Sequence, residues 1–304
     1  MSLYSQYKAS LKAVEVEEIF DLIIYRPLAF LFVKATYSFN LTPDRVSVAA
    51  LTIGSAAGIM FGFGGYTFLV IGAILYFTSN VLDCADGQIA RLKKNGTKVG
   101  RIVDGFVDYI VSIFVFVGIG VGLTKEFSHH EIGLWGNSIF HWKPVTYIWA
   151  ASILGAISSA VQAFYFDFYR NKFLEVVYGK AQNIIEEIRE YEDESLRLKE
   201  TGSHGFQRFL ISIYLKYSAL QLKIQKDHEE NQAEQKPNPK VYYAKNRLLL
   251  RLWSYIGSTT HITLCVVCAL LGNMEAFLII CILPLNLLML VLFLVQKKVN
   301  KVTA

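Results

Sequence analysis

The sequence predicts an all-α integral membrane protein: six transmembrane helices preceded by an N-terminal juxtamembrane amphipathic helix. Three observations predict it. Of 304 residues, 53% are hydrophobic and 14% aromatic, and the mean hydropathy of +0.36 is too high for an ordinary soluble domain. Six stretches are apolar and long enough to span: Val46 to Phe63, Tyr66 to Val81, Ile102 to Leu123, Val145 to Phe166, Leu252 to Leu271 and Ala276 to Val295. Basic residues are also distributed unevenly, with five before Val46, five from Arg91 to Arg101, fifteen from Arg170 to Arg251 and three after Val295. The segments on the other side hold only Lys125 and Lys143. This asymmetry predicts a multi-pass protein of the cell (inner) membrane with both termini in the cytoplasm. The net charge of +5 tracks helix ends, which suits an anionic leaflet, and no nucleic-acid partner is expected.

In chain order, the first forty residues do not read as a signal peptide. Glu15, Glu17, Glu18 and Asp21 interrupt the apolar residues, and Pro27 to Phe39 is too short to span. Ile19, Phe20, Leu22, Leu28, Phe30 and Val33, with Arg26 and Lys34 among them, suit helices lying at the interface. Thr42, Pro43 and Asp44 then form a helix-start signal, with an N-cap residue, a proline for the first helical position and an acid for the positive helix end. Gly54, Ser55, Ala56, Ala57 and Gly58 give the first span a small-residue face for close packing.

The second and third spans carry the chemistry at their facing ends. Asp83 and Asp86 are three apart and Asp104 and Asp108 four apart, so each pair shares one helix face. Leu92 to Val99 reads as the turn of an antiparallel hairpin. At about 1.5 Å rise per residue, the two carboxylate pairs come to matched levels, roughly 6 to 12 Å in from the helix ends. An ionisable group at that depth is costly, and four converging acids repel unless cations hold them. Hard oxygen ligands select Mg²⁺, Mn²⁺ or Ca²⁺, with room for two ions. Gly87, Ala90 and Gly100 leave space beside the acids, while Arg91 and Thr97 add an anion donor and a hydroxyl at the mouth. Interhelical glue, or a cation or proton path, is the competing reading of such acids.

The remaining elements are less chemical. The loop Lys125 to Lys143 holds His129, His130, Glu131 and His141, read as a solvated loop with interfacial Trp135 and Trp142. A polar insertion follows the fourth span, with one charged amphipathic helix over Ile184 to Tyr191 and a second over Phe209 to Ile224. Its acidic run, Glu186 to Glu194, reads as a solvated face. Pro237-Asn238-Pro239 reads as a stiff linker and Pro284 as a kink in the last span. Cys84, Cys265, Cys268 and Cys281 read as small buried hydrophobes, not as a disulfide framework.

The pattern D-x2-D-G-x2-A-R-x8-G-x3-D-x3-D, filled by Asp83, Asp86, Gly87, Ala90, Arg91, Gly100, Asp104 and Asp108, is similar to the signature of the CDP-alcohol phosphotransferase family. The resemblance implies a membrane enzyme that transfers a substituted phosphate from a CDP-linked donor to an alcohol, releasing CMP, with two Mg²⁺ or Mn²⁺ ions. It implies that Asp83 and Asp104 bridge both ions, that Asp86 completes one, and that Asp108 binds the other and accepts the hydroxyl proton. Leu41 to Ser47 resembles the Thr-Pro-Asp-x-Val-Thr stretch of bacterial phosphatidylinositol-phosphate synthases, with Ser47 where Thr is commoner. That implies nucleotide contacts at Asp44, Arg45, Val46 and Ser47, joined by Gly87, Arg91 and Thr97.

On this reading residues 1–40 are juxtamembrane and 41–171 hold the catalytic spans, followed by a cytoplasmic insertion at 172–245 and the last two spans with a tail at 246–304. CDP-diacylglycerol is the expected donor and inositol phosphate the expected acceptor, with Arg170, Lys172, Arg247 and Arg251 at the cytoplasmic mouth. Against this, the insertion and Arg170-Asn171-Lys172 do not reproduce the expected acceptor motif. A CDP-choline or CDP-ethanolamine phosphotransferase with a lipid acceptor is the alternative, and a cation or proton transporter the alternative of another class. Homodimers are common in the family.

Overall fold

The computed structural model describes residues 7–8, 10–11, 14–37, 39, 41–93, 98–127, 144–179, 184–200, 205, 208–209, 211–216, 218–219 and 238–303, with the side chains at 98–106, 144, 184–187, 194, 200 and 301–303 outside that description. Among the described residues every regular element is helical, as expected. A tight turn at Val14–Val16 and a wide turn at Asp21–Tyr25 lead into α1 (Arg26–Ala35). Four long helices follow: α2 (Pro43–Phe63), α3 (Tyr66–Lys93), α4 (Lys98–Phe127) and α5 (Pro144–Tyr178). After α6 (Ile184–Glu200) of the insertion come α7 (Pro239–Trp253), α8 (Ser258–Leu270), α9 (Met274–Ile282) and α10 (Pro284–Thr303). Among the described residues, five spans are long and apolar enough to cross a membrane, and a sixth arises if α7 and α8 count as one bent span. The chain is therefore a multi-pass integral membrane protein.

The first span begins where the sequence says. Thr42 is extended, at φ −95° and ψ 151°, and Pro43 takes a first-turn position with Asp44 beside it. Proline's fixed φ presets the turn, and the carboxylate faces the positive helix end. The Thr42 side chain makes no capping bond.

The helix α2 packs against both α3 and α4 and so sits between the arms of the hairpin. Glycine makes this possible. A methyl group added at Gly118 of α4 would overlap the Gly58 carbonyl of α2, and one at Gly54 would run into Ser79 and Val111. The small-residue face thus brings backbones into contact where lipid supplies no hydrophobic drive. Buried side chains fill the rest in three groups: Phe61, Tyr76, Ile119 and Phe277 between α2, α3, α4 and α9; Phe166, Phe173, Trp253 and Leu292 between α5, α7 and α10; and Tyr25, Val33, Val46 and Ile89 between the N-terminal segment, α2 and α3.

The two C-terminal spans are interrupted, the first at a contact with the N-terminal segment and the last at a proline. Leu252 to Leu271 was expected as one continuous helix, but the chain bends by 41° at Gly257. Gly257 is extended, at φ −76° and ψ 170°, and the Glu18 carboxylate lies where a side chain at Gly257 would go. The last span breaks at Leu283, before Pro284, which supplies no backbone donor. Gln162 of α5 compensates by donating to the Cys281 carbonyl at 3.0 Å and to Asn286 Oδ1 at 2.8 Å. Asn286 donates to Ser158 Oγ at 2.9 Å and to the Ile282 carbonyl at 2.8 Å. At membrane depth such groups must be satisfied within the protein.

In the insertion, α6 buries Tyr191 against Ile211, with the Tyr214 ring 4.7 Å away, while Glu192 and Asp193 face solvent. Asn238-Pro239, read from sequence as linker, instead starts α7: Asn238 Oδ1 accepts from the Lys240 amide at 3.0 Å. All four cysteines are buried and free. The loop with His129, His130, Glu131 and His141 lies outside the described residues.

Candidate active site

Asp83 and Asp86 lie near the C-terminal end of α3, and two other parts of the chain grip this segment. On the α2 side, Ser47 Oγ donates to Asp86 Oδ2 at 2.5 Å, between residues 5% and 3% exposed. Ser79 Oγ donates to the Ala50 carbonyl at 2.8 Å, and Lys93 Nζ to the Leu41 carbonyl at 3.1 Å. These bonds tie the start of α2 to the end of α3.

On the other side lies the N-terminal segment. Cys84 Sγ points to Asp21 Oδ1 at 3.7 Å, Gln88 Nε2 donates to the Arg26 carbonyl at 3.0 Å, and Arg91 Nε donates to the Ser10 carbonyl at 2.5 Å. The guanidinium assigned to an anion is thus already in contact with a main-chain oxygen. A Cβ at Gly87 would just touch it, 3.4 Å from Arg91 Nη2.

Of the remaining expected residues, Asp108 is exposed on α4, and Asp44 and Arg45 are exposed at the start of α2. Val46 is 3% exposed and packs with Tyr25, Ala50 and Ile89, so its side chain serves the core. Thr97 and the Asp104 side chain lie outside the described residues. Among the described residues no three His, Cys, Asp or Glu side chains form a cation-sized group. The donor chemistry still fits a hard divalent ion, because Asp83 and Asp86 present only carboxylate oxygens from one face of a well-braced helix.

The structure adds a buried polar cluster beside the motif helix that the sequence did not single out. Glu17, Glu18 and Asp21, read as interruptions of an interfacial helix, are 6%, 5% and 9% exposed. Arg26 reaches Glu17 at 2.5 Å and Asp21 at 3.6 Å. Asp21 Oδ1 also accepts from Thr259 Oγ1 at 3.0 Å, and Arg251 Nη1 donates to the Glu17 carbonyl at 2.9 Å. Glu18 caps α8: its Oε2 accepts from the Thr259 amide at 3.0 Å and its Oε1 from Ser258 Oγ at 3.2 Å. The cluster therefore joins the N-terminal segment, the motif helix and the start of α8. The signal available in sequence was four acids among apolar residues with Arg26 nearby.

Burial pushes the Glu18 carboxyl from its ordinary 4.5 up to about 8, helped by Asp21 and Asp167 and opposed by Arg170 and the Ser258 hydrogen bond. Burial raises Asp21 as well, against the pull of Arg26. A carboxyl with a raised folded-state pKa binds more protons when folded, so its stabilisation is complete below the ordinary value and is lost as pH rises through the folded one. Thermal stability in detergent should accordingly fall between pH 4.5 and about 8. Glu18→Gln should flatten that slope, and an unchanged slope would assign the titration to another group.

Arg170, expected at the acceptor, forms an ion pair with Asp167 at 3.0 Å and lies over the Phe166 ring.

Comparison with known proteins places these residues in context. Residues 40–179 match the family model described as CDP-alcohol phosphatidyltransferase. The matched region holds α2 to α5 and all four aspartates, whereas Glu17, Glu18, Asp21, Arg26 and Thr259 lie outside it. No curated protein matches the chain.

Proposed function

From the match of residues 40–179 to the CDP-alcohol phosphatidyltransferase family model, we propose that the chain belongs to this family and transfers the phosphatidyl group of CDP-diacylglycerol to a phosphorylated polyol such as inositol phosphate, releasing CMP. The observation that carries the reading is the braced Asp83–Asp86 pair, set on the motif helix within the matched region. Asp83, Asp86, Asp104 and Asp108 would hold two Mg²⁺ or Mn²⁺ ions. When bound, such ions neutralise the pyrophosphate and the charge developing on the leaving CMP.

The protein's own groups do the rest. Arg91 binds phosphate oxygens at the mouth, where the absence of a side chain at Gly87 leaves room beside its guanidinium. Asp44, Arg45, the Val46 backbone and Thr97 contact the cytidine diphosphate. The acceptor hydroxyl attacks the phosphatidyl phosphorus and the bond to CMP breaks. Asp108 takes the hydroxyl proton, a role suited to an exposed carboxylate that substrate can reach. Its placement in the cytoplasm, where nucleotide-activated substrates are made, is supported by the distribution of basic residues. The Asp167–Arg170 ion pair favours a second acceptor class, because an arginine already neutralised binds an anionic acceptor less well. With that acceptor, a CDP-choline or CDP-ethanolamine donor would react with a lipid alcohol.

The test is CMP release by purified protein with Mn²⁺ and CDP-diacylglycerol, adding inositol phosphate, inositol, glycerol phosphate or serine separately. Stimulation by inositol phosphate is expected. Stimulation only by CDP-choline or CDP-ethanolamine with diacylglycerol would replace the donor and acceptor, and no CMP release with any pair would overturn the reading.

A further inference from the structure

The first turn of α2 was expected to serve the nucleotide, yet the structure commits one of its side chains elsewhere. The hydroxyl of Ser47 has one proton. A serine early in a helix ordinarily gives that proton to the carbonyl four residues back, and Ser47 does lie 3.2 Å from the Pro43 carbonyl. The distance to Asp86 Oδ2 is much shorter, 2.5 Å, in the range of a hydroxyl bonded to an ionised carboxylate. Both side chains are at least nine-tenths buried, so water does not compete for the bond.

The hydroxyl is also rigidly carried. Ser47 sits between Val46 and Ala50, both buried in the cluster with Tyr25, Leu82 and Ile89. Its helix is bonded to α3 through Ser79 and Lys93 and has no space at Gly54 to slide. A donor that cannot move fixes the carboxylate that accepts from it.

We propose that Ser47 is a positioning residue: from α2 it holds the plane of the Asp86 carboxylate for cation binding, and it does not contact the nucleotide. The inference rests on the reading of Asp86 as a cation ligand given above. Groups that orient a ligand in this way are worth about 10- to 100-fold in metal affinity.

The experiment measures Mn²⁺ binding to purified protein by electron paramagnetic resonance, without substrate, for wild type and for Ser47→Ala, Ser47→Thr and Asp86→Asn, each checked for an unchanged melting temperature. Donor KM at saturating Mn²⁺ is the second readout. Ser47→Ala should weaken Mn²⁺ binding about tenfold and leave donor KM within about twofold, while Ser47→Thr, which keeps the hydroxyl, restores binding. Wild-type Mn²⁺ affinity in Ser47→Ala, or a raised donor KM with unchanged Mn²⁺ affinity, would overturn the proposal and leave Asp86 as a ligand. Loss of folding in Ser47→Ala leaves the decision to Ser47→Thr: weakened Mn²⁺ binding there, with the fold intact, would also overturn it. Equal Mn²⁺ binding by wild type and Asp86→Asn would instead remove the premise about Asp86, and the inference with it.

Discussion

Asp108→Asn should abolish CMP release, lowering turnover by about 10²- to 10⁴-fold, the range that a positioned general base contributes. Asparagine keeps the shape of the side chain but cannot take a proton, and it is a weaker ligand for a hard cation. Asp108 is exposed on α4 and asparagine keeps its size, so the fold should survive the substitution. An unaltered melting temperature beside lost activity is the expected pair of results. Glu190→Gln, in the insertion helix α6 and outside the family match, is the control and should retain turnover. Wild-type turnover in Asp108→Asn would remove the proposed base.

The second large effect concerns stability. Arg26 is 12% exposed and its partner Glu17 6%, so the pair is nearly out of water, and Asp21 stands 3.6 Å from the same guanidinium. Replacing both members of a buried pair can be neutral, whereas removing one strands a charge at a cost of about 3–5 kcal/mol. Arg26→Met should therefore destabilise the protein by about that amount, read as a lower denaturation midpoint in detergent. Adding Glu17→Gln should recover part of the loss. Equal stability of Arg26→Met and wild type would show that the acids are not held by this arginine. The same substitution frees the segment whose carbonyl groups bind Gln88 and Arg91, so activity should fall along with stability.

Much of the architecture was legible in the residues because its causes are local. Pro43 presets a turn wherever it stands, Pro284 removes a donor, and apolar runs of sufficient length form spans. The small residues of α2 likewise announce a close backbone approach, and the structure supplies Gly118 as the partner. The break at Gly257 was not legible, since a continuous apolar window conceals it. Its cause, the Glu18 carboxylate at the start of α8, comes from a segment some 240 residues earlier in the chain, as the spacing of the Ser258 bond records.

For the candidate site, the three-residue spacing of Asp83 and Asp86 on α3 follows from helix periodicity, so their shared face could be read directly. The sequence by itself also determined the membrane character and the match of residues 40–179 to the family model, because both rest on composition and short-range pattern. Only the tertiary structure decided what surrounds those acids. It placed α2 between the hairpin arms and set Ser47 on Asp86 across 39 residues of chain. It also buried Glu17, Glu18 and Asp21 against Arg26 and Thr259. The physical reason is that a buried charge or hydroxyl needs a partner, and which partner reaches it depends on how helices distant in sequence pack together.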